Sequence, residues 1–270
     1  MAIPGPCVLF DLLPELGSDL QAGDCEQARR ALVAPTLALD PGPWDPRTVD
    51  LRPTLGALVC GGLLTRTIAL NGRTTTELLG PADILRPWDE ENDGGPVHFS
   101  ISWMVHEPTR LAFLDRRVAM AVARWPEVAG ALSRRAVARS HSLAVQLACA
   151  HMPRLDERVL VLLWHLATRW GHVGPHGTVL PLRLTHRTLA ELAGARRPSV
   201  TAALGDLTRR DLIARAPEGW VLKGDPSAPL AGLDGDGPQP LAQATTNAAG
   251  GVPSTVTGSA SAHHSVASRP

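Results

Sequence analysis

The spacing of apolar side chains changes character twice along the chain. Up to about residue 110 the apolar runs are short: Val8–Leu13, Leu55–Val59, Leu63–Leu70 and Phe99–Val105. Proline and glycine punctuate them. The stretch Gly61–Arg73 reads as a strand running into an Asn71-Gly72 turn, the strongest short-range hairpin signal. Many short strands with such punctuation predict a sandwich or barrel. From Asp115 to His151 the pattern becomes helical, with one break at Trp125-Pro126, where proline suits the first turn of a new helix. Leu132, Ala136, Leu143, Leu147 and Ala150 then fall near one face. A seam that narrow fits a dimerisation helix or a helix packed on its own domain, and periodicity leaves both open.

Residues 154–223 carry a third pattern. Leu155, Val159, Leu162, Leu163, Leu166 and Trp170 mark one face of a helix that Gly171 ends. After the turn Gly174-Pro175-His176-Gly177, the segment Thr178–Leu184 alternates like a strand. Thr185 is a suitable cap for a short helix with Leu189, Leu192 and Ala193 inward, stopped by Gly194. Pro198 opens a second helix whose buried face is Val200, Ala203, Leu204 and Leu207. Leu212–Ala216 and Trp220–Leu222 then read as strands around Pro217-Glu218-Gly219. Two short helices across a tight turn, followed by a β-hairpin, make a winged helix-turn-helix. Ala190 supports this as the small residue where the helices cross, Gly194 as the left-handed turn, and Val200 as the wedge between them.

Charge sharpens the division. The 270 residues carry no formal net charge, yet residues 1–109 hold 7 basic and 15 acidic side chains. Residues 110–150 hold 7 and 2, and residues 151–224 hold 11 and 6. An acidic first half joined to a basic second half suits a sensor attached to a polyanion-binding module. The tail 225–270 is Gly, Pro, Ser, Thr and Ala with few large apolar residues, and is expected to be disordered. Cys7, Cys25, Cys60 and Cys149 form no CxxC pair, so neither a disulfide framework nor a zinc site is indicated. The first 13 residues lack a basic start and are broken by proline, and no apolar run reaches the ~18 residues of a membrane span. The chain reads as cytoplasmic.

The run from Leu184 to Thr201 (LTHRTLAELAGARRPSVT), with Leu204, Leu207 and Asp211-Leu212-Ile213, resembles the C-terminal domain of the Crp/Fnr (catabolite-activator-like) regulators. Leu55–Val59 and Leu78–Leu85 are more faintly similar to that family's β-roll sensor, and the long helix stands where the family places its dimer helix. The resemblance implies an α+β architecture. A jelly-roll-like β-roll sensor would occupy residues 1–114, connecting or dimerisation helices 115–152, and the winged helix-turn-helix 153–224. Members that bind cyclic nucleotides have a Gly-Glu pair followed by Arg, Ser or Thr, and Ala. Here the corresponding region offers Trp88-Asp89-Glu90-Glu91-Asn92-Asp93-Gly94-Gly95, an acidic stretch that would repel a phosphodiester. The sensor is thus expected to be degenerate, its effector unknown and not cyclic AMP. Cys7 and Cys25 do not supply the cluster ligands of the iron–sulfur sensors. No cofactor is indicated.

The resemblance further implies a homodimer on an inverted repeat of double-stranded DNA, with RNA polymerase as a further partner and no membrane. A recognition helix over residues 197–210 would enter the major groove. Arg197 is the best base reader, because guanidinium can donate twice to guanine. Ser199 and Thr201 flank it. The family's acidic and second basic readers fall on Pro198 and Ala202, so readout is sparse, with Ala202 able to meet a thymine methyl. Arg187, Arg196 and Arg209 would contact phosphates, which position the helix without reading sequence. Each arginine could equally be a solvated surface charge. His165, His172 and His176 have no neighbouring carboxylate or cysteine in sequence and read as structural. No nucleophile elbow, phosphate loop or dinucleotide fingerprint occurs, so an enzyme is not suggested. A protein-interaction module using the same fold is the alternative.

Overall fold

The computed structural model describes residues 5–49, 55–87 and 97–225. The acidic stretch at 88–95 and nearly all of the tail lie outside the described residues, so the expectations attached to them concern sequence alone.

The N-terminal part is built on antiparallel strands. After β1 (Cys7–Val8), α1 (Leu9–Leu12), α2 (Ala22–Ala31) and β2 (Val33–Ala34) come β3 (Thr36–Leu39) and β4 (Gly42–Trp44). Two long strands follow as β5 (Ala57–Leu70) and β8 (Ser100–Phe113), with β6 (Arg73–Leu79) and β7 (Ile84–Leu85) between them. The strand order is β3-β8-β5-β6, with β4 also pairing β8 and β7 also pairing β5. Leu70 pairs with Arg73 around the Asn71-Gly72 turn, where both φ angles are positive, 48° and 75°. Asn and Gly are the residues that tolerate that backbone, which is why the hairpin is readable from sequence. Leu37, Val59, Leu64, Leu79, Trp103 and Leu111 fill the sheet interior.

The run Val8–Leu13 is not a strand beyond Val8. Leu9, Phe10 and Leu13 project from α1 and the turn after it into a second core, with Val118, Trp125 and Val128. A continuous apolar run of that length fits a buried helix as well as a strand. α2 has no counterpart in the sequence pattern, since of its ten residues only Ala28 is buried.

The helices 116–150 follow the expected break. Asp115 caps α3 (Arg116–Arg124), its carboxylate accepting from Arg117 N and Val118 N. Pro126 begins α4 (Pro126–Ala150). Leu132 is buried in the chain's own core, whereas Val137 and Leu147 are exposed at 68% and 46%. The solvent face therefore follows Val137, Ser140, Ala144 and Leu147, a strip rotated from the one the sequence suggests.

α5 (Leu155–Trp170) leads into β9 (His172–Gly174) and β10 (Gly177–Leu180), then α6 (His186–Leu192), α7 (Arg197–Arg209), β11 (Ile213–Ala216) and β12 (Gly219–Leu222). The sheet order is β11-β12-β10-β9. β10 stops at Leu180 rather than Leu184, because Pro181 has no N–H to continue the ladder. The three helices and the wing share one core, to which Leu63 and Leu78 of the N-terminal sheet also contribute.

Candidate nucleic-acid interface

The α6–α7 turn is specified residue by residue. Thr185 Oγ1 accepts from Thr188 N and starts α6. Gly194 has φ +61°; Ala195 N donates to Ala190 O and Gly194 N to Glu191 O, the paired bonds of a Schellman ending. A methyl group on Gly194 would meet nothing within 4 Å, so the requirement for glycine is the backbone conformation and not space. Ala190 and Val200 are buried between the helices, as their sizes require. α7 ends in the same way at Asp211, φ +56°, with Leu212 N donating to Leu207 O. The helix expected over 197–210 thus spans Arg197–Arg209.

This geometry turns the α7 N-terminus outward. Arg196, Arg197, Pro198, Ser199, Thr201 and Ala202 are all exposed. Arg196 occupies the cap position, and no side chain accepts from the first N–H groups. The helix start is therefore an unfilled partial positive charge between two guanidiniums, a ready site for phosphate. Among the described residues no carboxylate forms an ion pair with Arg196 or Arg197. The other two candidate arginines differ. Arg187 pairs with Glu191 at 3.1 Å, and Arg209 pairs with Asp206. Both remain largely exposed, so these surface pairs cost little to exchange for a phosphate.

Thr201 is committed to the protein. Its hydroxyl donates to Arg197 O at 3.0 Å and lies 3.0 Å from His186 Nδ1, from which it must accept. The structure also brings up three residues that sequence reading missed. His186 opens α6 and ties it to α7; partial burial, with Arg215 and Arg197 nearby, pushes its pKa down. Arg183 and Arg215 are exposed and line one hollow beside the α6 cap. Arg215 stacks over Trp220 at 4.1 Å, which orients it from the wing. Only the fold unites these positions, which come from a loop, a helix start and a strand.

Residues 157–224 match the Crp-like helix-turn-helix domain family.

The rest of the chain agrees with this in fold. A CooA variant from Carboxydothermus hydrogenoformans is 17% identical with a TM-score of 0.58, covering 85% of this chain and 97% of that one. A cyclic nucleotide-binding domain containing protein from Listeria monocytogenes is 15% identical with a TM-score of 0.58, covering 80% and 98%. A Crp-family transcriptional regulator from Thermus thermophilus is 22% identical with a TM-score of 0.51, covering 72% and 95%. No curated protein matches by sequence. The chain thus joins a segment similar to the Crp-like helix-turn-helix domain to the overall fold that these solved structures share. No helix among the described residues is long and apolar enough to cross a membrane.

Proposed function

We propose that this chain is a regulator of the Crp/Fnr type, dimeric and sequence-specific, whose α7 enters the major groove of an inverted repeat. The observation that carries the reading is the exposed, uncapped start of α7 with Arg196 and Arg197 unopposed by carboxylate. In this reading Arg197 and Ser199 meet base edges from the helix N-terminus, and Arg196, Arg187 and Arg209 contact phosphates. Thr201, held by His186, supports the helix pair more than it reads DNA. Arg183 and Arg215 extend the basic face along the backbone. The sensor occupies residues 1–114, the connection 115–152 and the DNA-binding domain 153–224.

The solvent strip on α4 supports the dimer. Val137, Ser140, Ala144 and Leu147 recur at alternating steps of three and four, the spacing of a two-stranded seam, and their small side chains allow close approach. Two copies would set their α7 helices about one helical turn apart, ~34 Å, on one side of the duplex. The effector is expected to differ from cyclic AMP, because residues 89–91 are acidic in the sequence region where cyclic-nucleotide-binding members carry a Gly-Glu pair and an arginine. The site of action is the cytoplasm, where RNA polymerase is a further partner.

A mobility shift with competitor DNA at several salt concentrations tests this. The reading expects log affinity to fall steeply with log salt, at about 0.9 per phosphate neutralised. Salt-insensitive or absent binding would favour a protein partner instead.

A further inference from the structure

A cleft of about 520 Å³ lies where four parts of the chain meet: the turn at Glu15–Ser18, the middle of α4, the end of α5 and the Gly80–Asp83 turn. Its volume is that of an ordinary small-molecule site. Ala82, Ala131 and Ala138 give it small apolar patches, and four guanidiniums line it, those of Arg134, Arg135, Arg139 and Arg169. Only two carboxylates, Glu15 and Asp83, share the lining. Asp19 and Glu77 engage Arg134 and Arg139 from outside it. Ser142, Thr168 and His165 add polar groups, Ser142 Oγ standing 3.0 Å from His165 Nε2.

The internal carboxylates hold the positions that a ligand would take. Arg135 donates to Glu15 at 2.6 Å and to Ala82 O at 3.1 Å. Arg169 pairs with Asp83, which also accepts from Gly80 N at 2.9 Å. Asp83 is buried, and that burial raises its pKa against the opposing pull of Arg169. Arg169, from α5, is the foremost group that favours its charge, with Gly80 N–H and Arg139 adding to the pull. The contact is tight in packing too, since a methyl on Gly80 would stand 3.1 Å from the Trp170 ring.

We propose that this cleft is an effector site for a small multivalent oxyanion, a polycarboxylate or a phosphate compound, gripped by Arg135 and Arg169. Guanidinium forks suit either chemistry, because both present paired oxygens in a plane or a tripod. A ligand anion on Arg169 substitutes for Asp83 and releases the sensor turn from α5. Occupancy is thereby coupled to the placement of the helix-turn-helix. That coupling, though not the site itself, rests on the DNA-binding reading above.

Thermal unfolding and calorimetric titration of the full chain at constant ionic strength test the site directly, with succinate, citrate, glucose 6-phosphate, pyrophosphate and acetate as probes. A saturable rise in Tm is expected with at least one dianion and not with acetate. Success with succinate or citrate assigns a polycarboxylate, and success with glucose 6-phosphate or pyrophosphate assigns a phosphate compound. Arg135→Gln is expected to weaken binding on the order of tenfold or more. Ala138→Glu, at an exposed helix position where folding is not at stake, places a negative charge in the cleft and is expected to abolish binding. Arg197→Ala should bind the anion unchanged, which separates the cleft from the basic DNA face. No saturable response to any dianion, or an undiminished one in Ala138→Glu, overturns the site. If the anion binds yet DNA affinity is the same with and without it, the coupling is overturned. Failure of the regulator reading looks different, as absence of DNA binding in both conditions.

Discussion

Two groups of arginines in this chain share a side chain and differ in everything around it. Arg66, Arg139 and Arg169, on β5, α4 and α5, are held by carboxylates that are themselves buried. Glu77 binds Arg139 through both oxygens at 2.7 and 2.8 Å and Arg66 at 2.9 Å, and Asp83 binds Arg169. Arg196 and Arg197, at the start of α7, face solvent with no carboxylate partner among the described residues. A guanidinium turned inward onto a buried carboxylate is out of reach of a DNA phosphate, whereas an exposed one on a helix N-terminus keeps its charge for such a partner. The comparison assigns the first group to contacts within the protein and the second to DNA recognition.

The sharpest way to break it is to remove Glu77. Glu77→Ala leaves two poorly solvated guanidiniums without their counter-ion and should cost about 3–5 kcal/mol in chemical denaturation. Arg196→Ala or Arg197→Ala should move the same midpoint by less than about 0.5 kcal/mol. On DNA the order reverses for the exposed group: Arg197→Ala should lose roughly 1–3 kcal/mol at the specific site by titration. Arg187→Ala should weaken all sequences alike and lower the salt slope by about one unit. The intact Glu191 pair makes its loss in affinity smaller than that of Arg197. The mildest effect is on pH dependence. Burial pushes the His165 pKa below its ordinary 6.5, so the unfolded chain binds the proton more readily and stability falls as pH drops through about 6.5. Thermal melts from about pH 7.5 to about 5.5 should show that decline, and His165→Asn should flatten it.

How far these features are legible depends on whether neighbours in space are neighbours in sequence. The Asn71-Gly72 hairpin, the Trp125-Pro126 break, the Thr185 cap and the Gly194 turn are local devices, and each stands where its residues placed it. β9 escapes notice because His172–Gly174 is too short to show alternation, and α2 because its sequence has almost no buried face. The bond from Arg139 to Glu77 spans 62 positions, and Arg169 lies still further along the chain from Asp83. Nothing in the local pattern marks those two carboxylates. His186 and Arg215 are likewise invisible as parts of the interface, because their place depends on how α6, α7 and the wing pack.

Selection of bound sequences from a random DNA pool, run in parallel with the natural chain and with Arg197→Ala, tests the outward-facing α7 most directly. The account predicts a two-fold symmetric motif with a strong guanine preference in each half-site, reduced at that position alone in the variant. An identical motif from both proteins, or no enrichment from the natural chain, would contradict it.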